Sequence, residues 1–357
     1  MKLLFALRDI TEKGGGEKVC ANLVNNLVEN HNVTIVSFFK SADVLSYTIN
    51  ENIKIHYLNN SGFYSHSVIK YLYHKIFFRF YLNIRLFYFI KKTVPDIVIC
   101  NDGMFKPFIK NRKVKYVRIW HITTPKRKKF IFRFFDAIVI LSGKSLPFWL
   151  RIINNIKVIH NFLTHFPEKS SSCMNNIALS IGKIDKVDTK GFLRLVHIWS
   201  MMDVGDDMFL YIVGDGDGKS VLEERVRMLH LEESVKIFPF DNDIEKYYLQ
   251  AGVCLSTSYK EGMGMTLLEA ASYGLPCMSF DILTGPGDII QNDITGFLIN
   301  DNDLQTYAEK LSFLMQHPEV RMDMGRKAKA FVEGKFSKRT IIGQWEALFE
   351  ELTERSS

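Results

Sequence analysis

The stretch from Glu261 to Gly274, E-G-M-G-M-T-L-L-E-A-A-S-Y-G, constrains the fold of this 357-residue chain more than any other. One apolar run, Ala251 to Ser256, precedes it, and a second, Cys277 to Phe280, follows it. The pattern predicts a strand, a glycine-rich loop, a helix and another strand, as in an α/β fold. Thr266 and Glu269 fit a capping box, so we expect the helix to begin at about Thr266.

The start of this helix is a candidate binding site. Its free N–H groups and positive dipole end point at the loop Gly262-Met263-Gly264, which suits a phosphate or the polar edge of a sugar. Glu261 and Glu269 flank the loop, and ionised carboxylates accept hydrogen bonds from neighbouring hydroxyl groups. The alternative is that Glu269 only caps its helix and Glu261 lies in solvent.

The spacing Glu-x7-Glu, followed by Ala-x3-Gly-x-Pro, resembles the signature of family 4 retaining glycosyltransferases. The resemblance implies an α/β chain with the GT-B fold, in which two doubly wound Rossmann-like domains face each other across a cleft. It also implies that Glu269 binds the ribose hydroxyls of a nucleotide-sugar and that Glu261 lies at the donor sugar. The loop amides from Met263 to Met265 are expected to contact the same sugar.

Size and cysteine usage agree with a large intracellular chain. A length of 357 residues with 47% hydrophobic content is enough for two domains. The five cysteines include no C-x-x-C pair, which argues against a disulfide framework or a zinc site and favours a reducing cytosol. We expect no bound metal and no cofactor besides the donor, and no run of 18 apolar residues is present to span a membrane.

The net charge of +7 is unevenly distributed. Residues 61 to 160 hold 20 lysines and arginines against three acidic residues, a balance of +17, which leaves −10 for the remainder. This asymmetry predicts that the first half meets an anionic partner. No motif for DNA or RNA binding is present, so a membrane surface is favoured over nucleic acid.

Two segments of the first half carry the basic charge. Ser67 to Lys92 is an aromatic and basic stretch that would suit a helix lying in a bilayer interface, or alternatively a core helix whose lysines and arginines extend to the surface. A second basic run, Lys106 to Arg133, includes Lys126-Arg127-Lys128-Lys129 and favours the membrane interpretation.

The N-terminal segment predicts a Rossmann-like start. A strand at Lys2 to Leu7, three glycines and a helix from Glu17 form a phosphate-approach element, although a simple tight turn is equally compatible. The resemblance places Gly15 and Gly16 opposite the donor phosphates. His121 ends a predicted strand, where ligands bind in α/β sheets; a structural histidine is the alternative, and the resemblance places a histidine here near the donor sugar.

The second half continues the pattern. The polar stretch Pro167 to Asn176 predicts an interdomain linker, and the domains are expected at 1–170 and 171–337, with a helix at 338–357 that crosses back to the first domain. Lys183 and Lys190 flank a loop at a helix start, where they can neutralise a diphosphate without metal. The family usually has arginine at the position of Lys183, and lysine lacks the bidentate fork.

Further loops of the second half are candidate donor contacts. Gly214 opens G-D-G-D-G after a predicted strand, and the resemblance places Phe240, at the end of the next strand, beside the nucleobase. Asp215-x-Asp217 mimics a metal motif, but glycine-rich turns produce such pairs by chance. Gly285-Pro286-x-Asp288-Ile-Ile has aspartate where the family has glutamate, a variant that favours a galactose-type UDP donor.

The favoured function is a retaining hexosyltransferase. It would move a hexose or N-acetylhexosamine from UDP-galactose, UDP-N-acetylgalactosamine or UDP-glucose to a lipid-linked saccharide or lipopolysaccharide at the cytoplasmic face of the inner membrane. Positioning and electrostatics would supply the catalysis, with Lys183 and Lys190 at the diphosphate and Glu261 and His121 at the sugar. The alternatives are an NAD-dependent oxidoreductase and a non-catalytic basic membrane-surface protein.

Overall fold

The computed structural model describes residues 1–61, 77–121, 124–125, 130–203 and 205–354. The chain divides into two compact units, each described separately below. The first unit comprises Met1–Leu141, Leu146–His160 and Ile341–Ser357, and the second comprises Ser142–Ser145 and Asn161–Thr340.

The first unit is built on a parallel sheet. Its described strands are β1 (Lys2–Asp9), β2 (Asn32–Phe39), β3 (Lys54–Tyr57), β4 (Ile97–Cys100), β5 (Lys115–Trp120), β6 (Ala137–Ile140) and β7 (Ile156–Val158). They lie in the order β3-β2-β1-β4-β5-β6-β7, and every pair is parallel. The helices include α1 (Gly15–Leu27), α2 (Arg79–Thr93) and α3 (Leu146–Leu150).

The second unit repeats the plan. Its described strands are β8 (Ile177–Ile181), β9 (Phe209–Val213), β10 (Val235–Phe238), β11 (Val253–Ser256), β12 (Cys277–Phe280) and β13 (Gly296–Ile299), in the order β10-β9-β8-β11-β12-β13. The helices between and after them are α4 (Phe192–Ser200), α5 (Lys219–Met228), α6 (Glu245–Gln250), α7 (Met265–Ser272), α8 (Pro286–Ile289), α9 (Leu304–Gln316) and α10 (Pro318–Lys335). A last helix, α11 (Lys338–Glu354), lies mostly within the first unit.

Both sheets have the strand order of a doubly wound Rossmann-like domain, which confirms the predicted fold class. Each order reverses once, between β1 and β4 in the first unit and between β8 and β11 in the second. Ligands of such sheets bind outside the carboxyl ends of the strands at this reversal. The loops after β1, β4, β8 and β11 are therefore the candidate positions for a ligand-binding site.

The division between the units differs from the predicted boundary at residue 170. The second unit begins at Asn161, and the stretch predicted as a linker packs on it. The Ser171 amide donates to the Tyr273 carbonyl at 2.8 Å, and the buried Arg321 guanidinium donates to the Cys173 carbonyl at 2.9 Å. The stretch Pro167 to Asn176 thus belongs to the second unit, and its polar composition does not reveal these hydrogen bonds to distant backbone groups.

Helix α2 has one buried face and one exposed face. Leu82, Leu86 and Ile90 form a fully buried stripe at helical spacing, whereas Phe80 and Tyr88 are exposed. The rest of the predicted helix, and the lysine-arginine run at 126–129, lie outside the described residues. No helix in the described ranges is long and apolar enough to cross a membrane.

Candidate active site

In the second unit, Glu261 is the centre of a charged network after β11. Its Oε1 accepts from Lys190 Nζ at 2.7 Å and from Ser258 Oγ at 2.6 Å, and its side chain is only 10% exposed. Lys190 reaches this point from the loop after β8, so the two strands at the sheet reversal each supply one member. The structure thus brings together two of the predicted site residues and adds Ser258.

Arg194, which the sequence analysis missed, supports the backbone beside this network. It is buried on α4, and its guanidinium donates to the Thr257 carbonyl at 2.6 Å and the Ser258 carbonyl at 2.9 Å. Its charge lies between the rings of Tyr259 and Phe280, at 3.9 and 4.2 Å from their centroids. No sequence pattern could reveal this role, because an arginine on an amphipathic helix normally faces solvent.

The helix start that carries Glu269 is built differently from the prediction. Helix α7 begins at Met265, its N-cap is Gly264 with φ 86°, and no side chain caps it. The capping-box prediction is wrong because Thr266 is already inside the first turn. A glycine suits this left-handed N-cap. The Leu267 amide donates to the Gly264 carbonyl at 3.0 Å, so the amides of Met265 and Thr266 are the ones available for a ligand.

Glu269 lies on α7 with a defined partner. Its Oε2 accepts from the Tyr248 hydroxyl at 3.2 Å, and the Tyr248 ring stacks on Tyr273 with centroids 5.0 Å apart. Burial, and secondarily the charge of Glu269, raises the pKa of Tyr248 well above its usual value. Tyr248 therefore stays a hydrogen-bond donor and fixes one carboxylate oxygen of Glu269.

The loop after β8 packs on the glycine loop after β9. A Cβ on Gly214 would lie 1.9 Å from the Gly182 carbonyl oxygen, so glycine is required there by backbone packing. Asp215 accepts from the Phe240 amide at 2.7 Å and Asp217 from the Lys186 amide at 3.2 Å. The D-x-D pair therefore fixes loops, and nowhere in the described ranges do three His, Cys, Asp or Glu side chains lie together as a metal site.

Two other predicted contacts lie at the surface of the second unit. Lys183 is exposed and forms no ion pair with a described residue, and Phe240 is 54% exposed. Asp288, by contrast, is buried: it accepts from the Ser142 hydroxyl and from the Gly143 amide at 2.9 Å. Its carboxylate is thus engaged in hydrogen bonds within the chain, which the G-P-x-D-I-I pattern did not indicate.

In the first unit, His121 and the start of α1 line one polar pocket of 420 Å³. Asn101 links them: its Nδ2 donates to the Gly16 carbonyl at 3.0 Å, and its Oδ1 lies 3.0 Å from His121 Nε2. Because Oδ1 can only accept, His121 carries its proton on Nε2 and offers Nδ1 as an acceptor. Gly15 stands in the first turn of α1, where a Cβ would meet no other group.

Burial controls the charge states around this pocket. It lowers the pKa of His121 to about 4, with a further contribution from Arg118, so the imidazole is neutral at physiological pH. Burial raises the pKa of Glu17 and of Asp102, although amide hydrogen bonds from Met104 and Arg8 oppose the rise at Asp102. The pocket thus offers neutral and charged groups that suit a hydroxyl-rich ligand.

Comparison with known proteins finds similarity to glycosyltransferases. A family model described as glycosyl transferases group 1 matches residues 163–331. The amylovoran biosynthesis glycosyltransferase AmsD of Erwinia amylovora is 27% identical over 351 residues, covering 92% of this chain and 93% of that protein. A Campylobacter jejuni α-1,4-N-acetyl-D-galactosaminyltransferase, whose name specifies a saccharide on PP-undecaprenol, is 24% identical over 351 residues, with the same two coverages.

Structural comparison agrees over almost the whole chain. The crystal structure of a TarM variant from S. aureus, in complex with UDP and α-GlcNAc-glycerol, matches with a TM-score of 0.78 over 98% of this chain and all of that one. The two sequences are 16% identical. At this low sequence identity, the structural similarity supports a shared fold only.

Proposed function

We propose that this glycosyltransferase, which has the GT-B fold, transfers a hexose or N-acetylhexosamine from a UDP-sugar, with retention of configuration. UDP-galactose, UDP-N-acetylgalactosamine and UDP-glucose are the candidate donors. The acceptor is a lipid-linked saccharide or a lipopolysaccharide at the cytoplasmic face of the inner membrane. The amylovoran biosynthesis glycosyltransferase and the Campylobacter jejuni enzyme, whose name specifies a saccharide on PP-undecaprenol, support this class of acceptor.

The observation that carries the proposal is the convergence of Glu261, Lys190 and the amides of α7 at the sheet reversal of the second unit. A carboxylate, an ammonium group and free helix N–H groups together match the hydroxyls and the diphosphate of a nucleotide-sugar. Glu269 lies on the same helix, with Oε2 held by Tyr248, and its carboxylate is the proposed acceptor for the ribose hydroxyls.

The reaction needs no covalent enzyme intermediate. The acceptor oxygen attacks the anomeric carbon on the face from which UDP departs, the bond between that carbon and the diphosphate oxygen breaks, and the acceptor proton passes to the leaving phosphate. Lys190 and Lys183 stabilise the negative charge that develops on the diphosphate. Lys190 is held by Glu261 at 2.7 Å before the donor arrives, which fixes its position in advance.

The first unit has proposed sugar and phosphate contacts of its own at His121, Gly15 and Gly16. Nδ1 of the neutral imidazole accepts a hydrogen bond from a sugar hydroxyl, because Nε2 already donates its hydrogen bond to Asn101 Oδ1. Gly16 leaves the start of α1 open to a phosphate or sugar, with its carbonyl held by Asn101. In the second unit Gly262, Met263 and Gly264 present the α7 amides, while Gly214 shapes the neighbouring loop and Phe240 stacks beside the uracil.

We also propose peripheral attachment to an anionic membrane, and the first half of the chain supports this proposal. Residues 61–160 carry the balance of +17, and exposed aromatic side chains such as Phe80, Tyr81 and Tyr88 lie on α2 among arginines and lysines. Aromatic rings and basic groups on one surface suit a bilayer interface with anionic headgroups.

The decisive experiment is a binding panel. Purified protein is titrated with UDP, GDP, ADP and NAD by calorimetry, with Glu269→Ala as the test variant and Glu223→Ala, an exposed carboxylate on α5, as the control. We expect selective UDP binding that weakens at least about tenfold in Glu269→Ala alone. Binding of NAD without UDP would overturn the proposal in favour of an oxidoreductase, and binding of none would favour a non-catalytic surface protein.

A further inference from the structure

The first unit contains an apolar groove beside its polar pocket. The groove has a volume of 470 Å³ and lies between α2 and the segment at residues 105–109. Its volume falls in the range of about 300–1,000 Å³ typical of sites for small ligands. Three of its aromatic rings remain open to solvent, with exposures of 64% at Phe80, 63% at Tyr88 and 53% at Phe108. Its principal apolar lining is Phe80, Ile84, Phe87, Tyr88, Phe105 and Phe108.

Arg79 belongs to both cavities. It lines the apolar groove and also the 420 Å³ pocket that holds His121 and Gly16. Its guanidinium donates to the carbonyls of Gly103 and Met104 and forms no ion pair with a described residue. One cationic group thus stands at the boundary between an apolar cavity and a polar one.

We propose that the groove binds the hydrocarbon chain of the acceptor's lipid carrier, with the carrier phosphate at Arg79 and the saccharide in the polar pocket. On the protein, the apolar groove is followed by Arg79 and then by the hydroxyl-binding pocket. A lipid-linked saccharide has its parts in the same order: hydrocarbon chain, phosphate and sugar. This inference rests on the proposed function and specifies how the acceptor is recognised.

Charge and chemistry favour a lipid phosphate over a neutral apolar ligand. In the sequence, residues 61–160 hold 20 basic against three acidic side chains. Of those acidic groups, Asp136 pairs with Lys110 at 2.9 Å. Asp102 lines the polar pocket with Arg79 and Glu17, but it accepts hydrogen bonds from the amides of Arg8 and Met104 and forms no ion pair with Arg79. A phosphate at this position gains a charge-assisted hydrogen bond from the guanidinium group.

The test uses soluble analogues of the carrier in the presence of saturating UDP, which keeps the diphosphate out of the donor site. Farnesyl diphosphate, geranyl diphosphate and inorganic diphosphate are titrated by calorimetry against the full chain. Since each buried methylene is worth about fourfold in affinity, we expect farnesyl diphosphate to bind at least about tenfold more tightly than geranyl diphosphate. Inorganic diphosphate should bind weakest.

Neighbouring residues of α2 supply matched variants. Phe80 lines the groove and Tyr81 does not, although both are exposed on the same turn. Phe80→Glu should weaken farnesyl diphosphate binding at least about tenfold, and Tyr81→Glu should change it less than about twofold. Arg79→Gln should weaken inorganic and farnesyl diphosphate alike, because it removes the phosphate contact.

Three results would overturn the inference: equal binding of the three diphosphates, equal effects of Phe80→Glu and Tyr81→Glu, or an effect of Phe80→Glu confined to phosphatidylglycerol vesicles. The last result would assign the groove to the bilayer surface. UDP binding is measured on every variant and should not change. Failure of the wild-type chain to bind UDP would count against the proposed donor instead, so the two failures are distinguished by different ligands.

Discussion

At the residue scale, the ion pair between Lys190 and Glu261 explains how a lysine side chain can be held in position before a diphosphate binds. A free lysine side chain loses rotamer entropy when it binds a ligand, but Lys190 is already held at 2.7 Å by Glu261, which Ser258 holds in turn. The donor then meets a positive charge that is fixed in place, which is the condition for electrostatic stabilisation of a leaving group.

Replacing Lys190 should therefore affect the transfer step strongly. We expect Lys190→Met to lower kcat by about 10²–10³, the cost of one preorganised donor at a developing charge. Initial rates at saturating donor measure this loss. The control is Lys186→Met, an exposed lysine of the same loop, which should keep nearly the wild-type rate. Equal losses in both variants would refute the role of Lys190.

His121 gives a prediction about pH. Its pKa is about 4 in the folded chain, against about 6.5 when unfolded, so between these values the unfolded chain binds more protons. The stabilising effect of the neutral imidazole is complete above pH 6.5 and is lost as the pH falls toward 4. The depressed pKa of His121 should therefore lower the free energy of unfolding at pH 4.5 by about 2 kcal/mol relative to neutral pH.

Denaturant unfolding at pH 7 and pH 4.5 measures this loss. His121→Gln should reduce the pH dependence by the predicted amount, and His197→Gln, which removes an exposed histidine of α4, should leave it unchanged. An unaltered pH dependence in His121→Gln would show that other groups cause it.

At the scale of elements, the second sheet depends on close approach of loops. The loop that follows β9 packs its glycines on the backbone of the loop that follows β8, with Gly214 nearest to the Gly182 carbonyl. Both loops lie at the carboxyl edge of the sheet, where Lys183 and Lys190 are found. Backbone packing therefore sets the position of the candidate diphosphate contacts.

A methyl group at Gly214 should separate these loops. We expect Gly214→Ala to lower the unfolding free energy by about 3 kcal/mol and to weaken UDP binding, since the new Cβ would lie 1.9 Å from the Gly182 oxygen. Gly334→Ala, on α10 with no group within 4 Å of the added Cβ, should stabilise by about 0.5–1 kcal/mol. Thermal unfolding compares the two, and a neutral Gly214→Ala would show that the loops can move apart freely.

The same elements show what a sequence can predict here. The strand Cys277–Phe280 is predicted residue by residue, because strands buried on both faces read as short apolar runs between turn signals. The sequence indicates that Lys190 and Glu261 lie in loops of the candidate site, but it does not predict their ion pair. Ser258 and Arg194 were missed because their partners are fixed by tertiary contacts that leave no local pattern.

At the scale of the whole molecule, the chain closes the first unit with its last helix. Helix α11 is assigned to that unit from Ile341 onward, although nearly two hundred residues of the second unit come before it. Trp345 and Phe349 are buried, His31 Nε2 lies 2.7 Å from Glu346 Oε2, and Lys157 pairs with Glu351. The core of the first unit is therefore completed only when the C-terminal end of the chain has been made.

This topology predicts that damage to α11 destabilises the first unit alone. We expect Trp345→Ala to cost about 3–5 kcal/mol by leaving a cavity, whereas Gln344→Ala, the exposed neighbour on the same helix, should cost less than about 0.5 kcal/mol. Hydrogen exchange should show faster exchange in β1, β4 and β5 of the Trp345→Ala variant and unchanged protection in β8 and β11. UDP affinity should stay within about twofold of the wild type, because its proposed contacts with the base, ribose and diphosphate lie mainly in the second unit. Equal loss of protection in both sheets would mean that the two units unfold as one cooperative body.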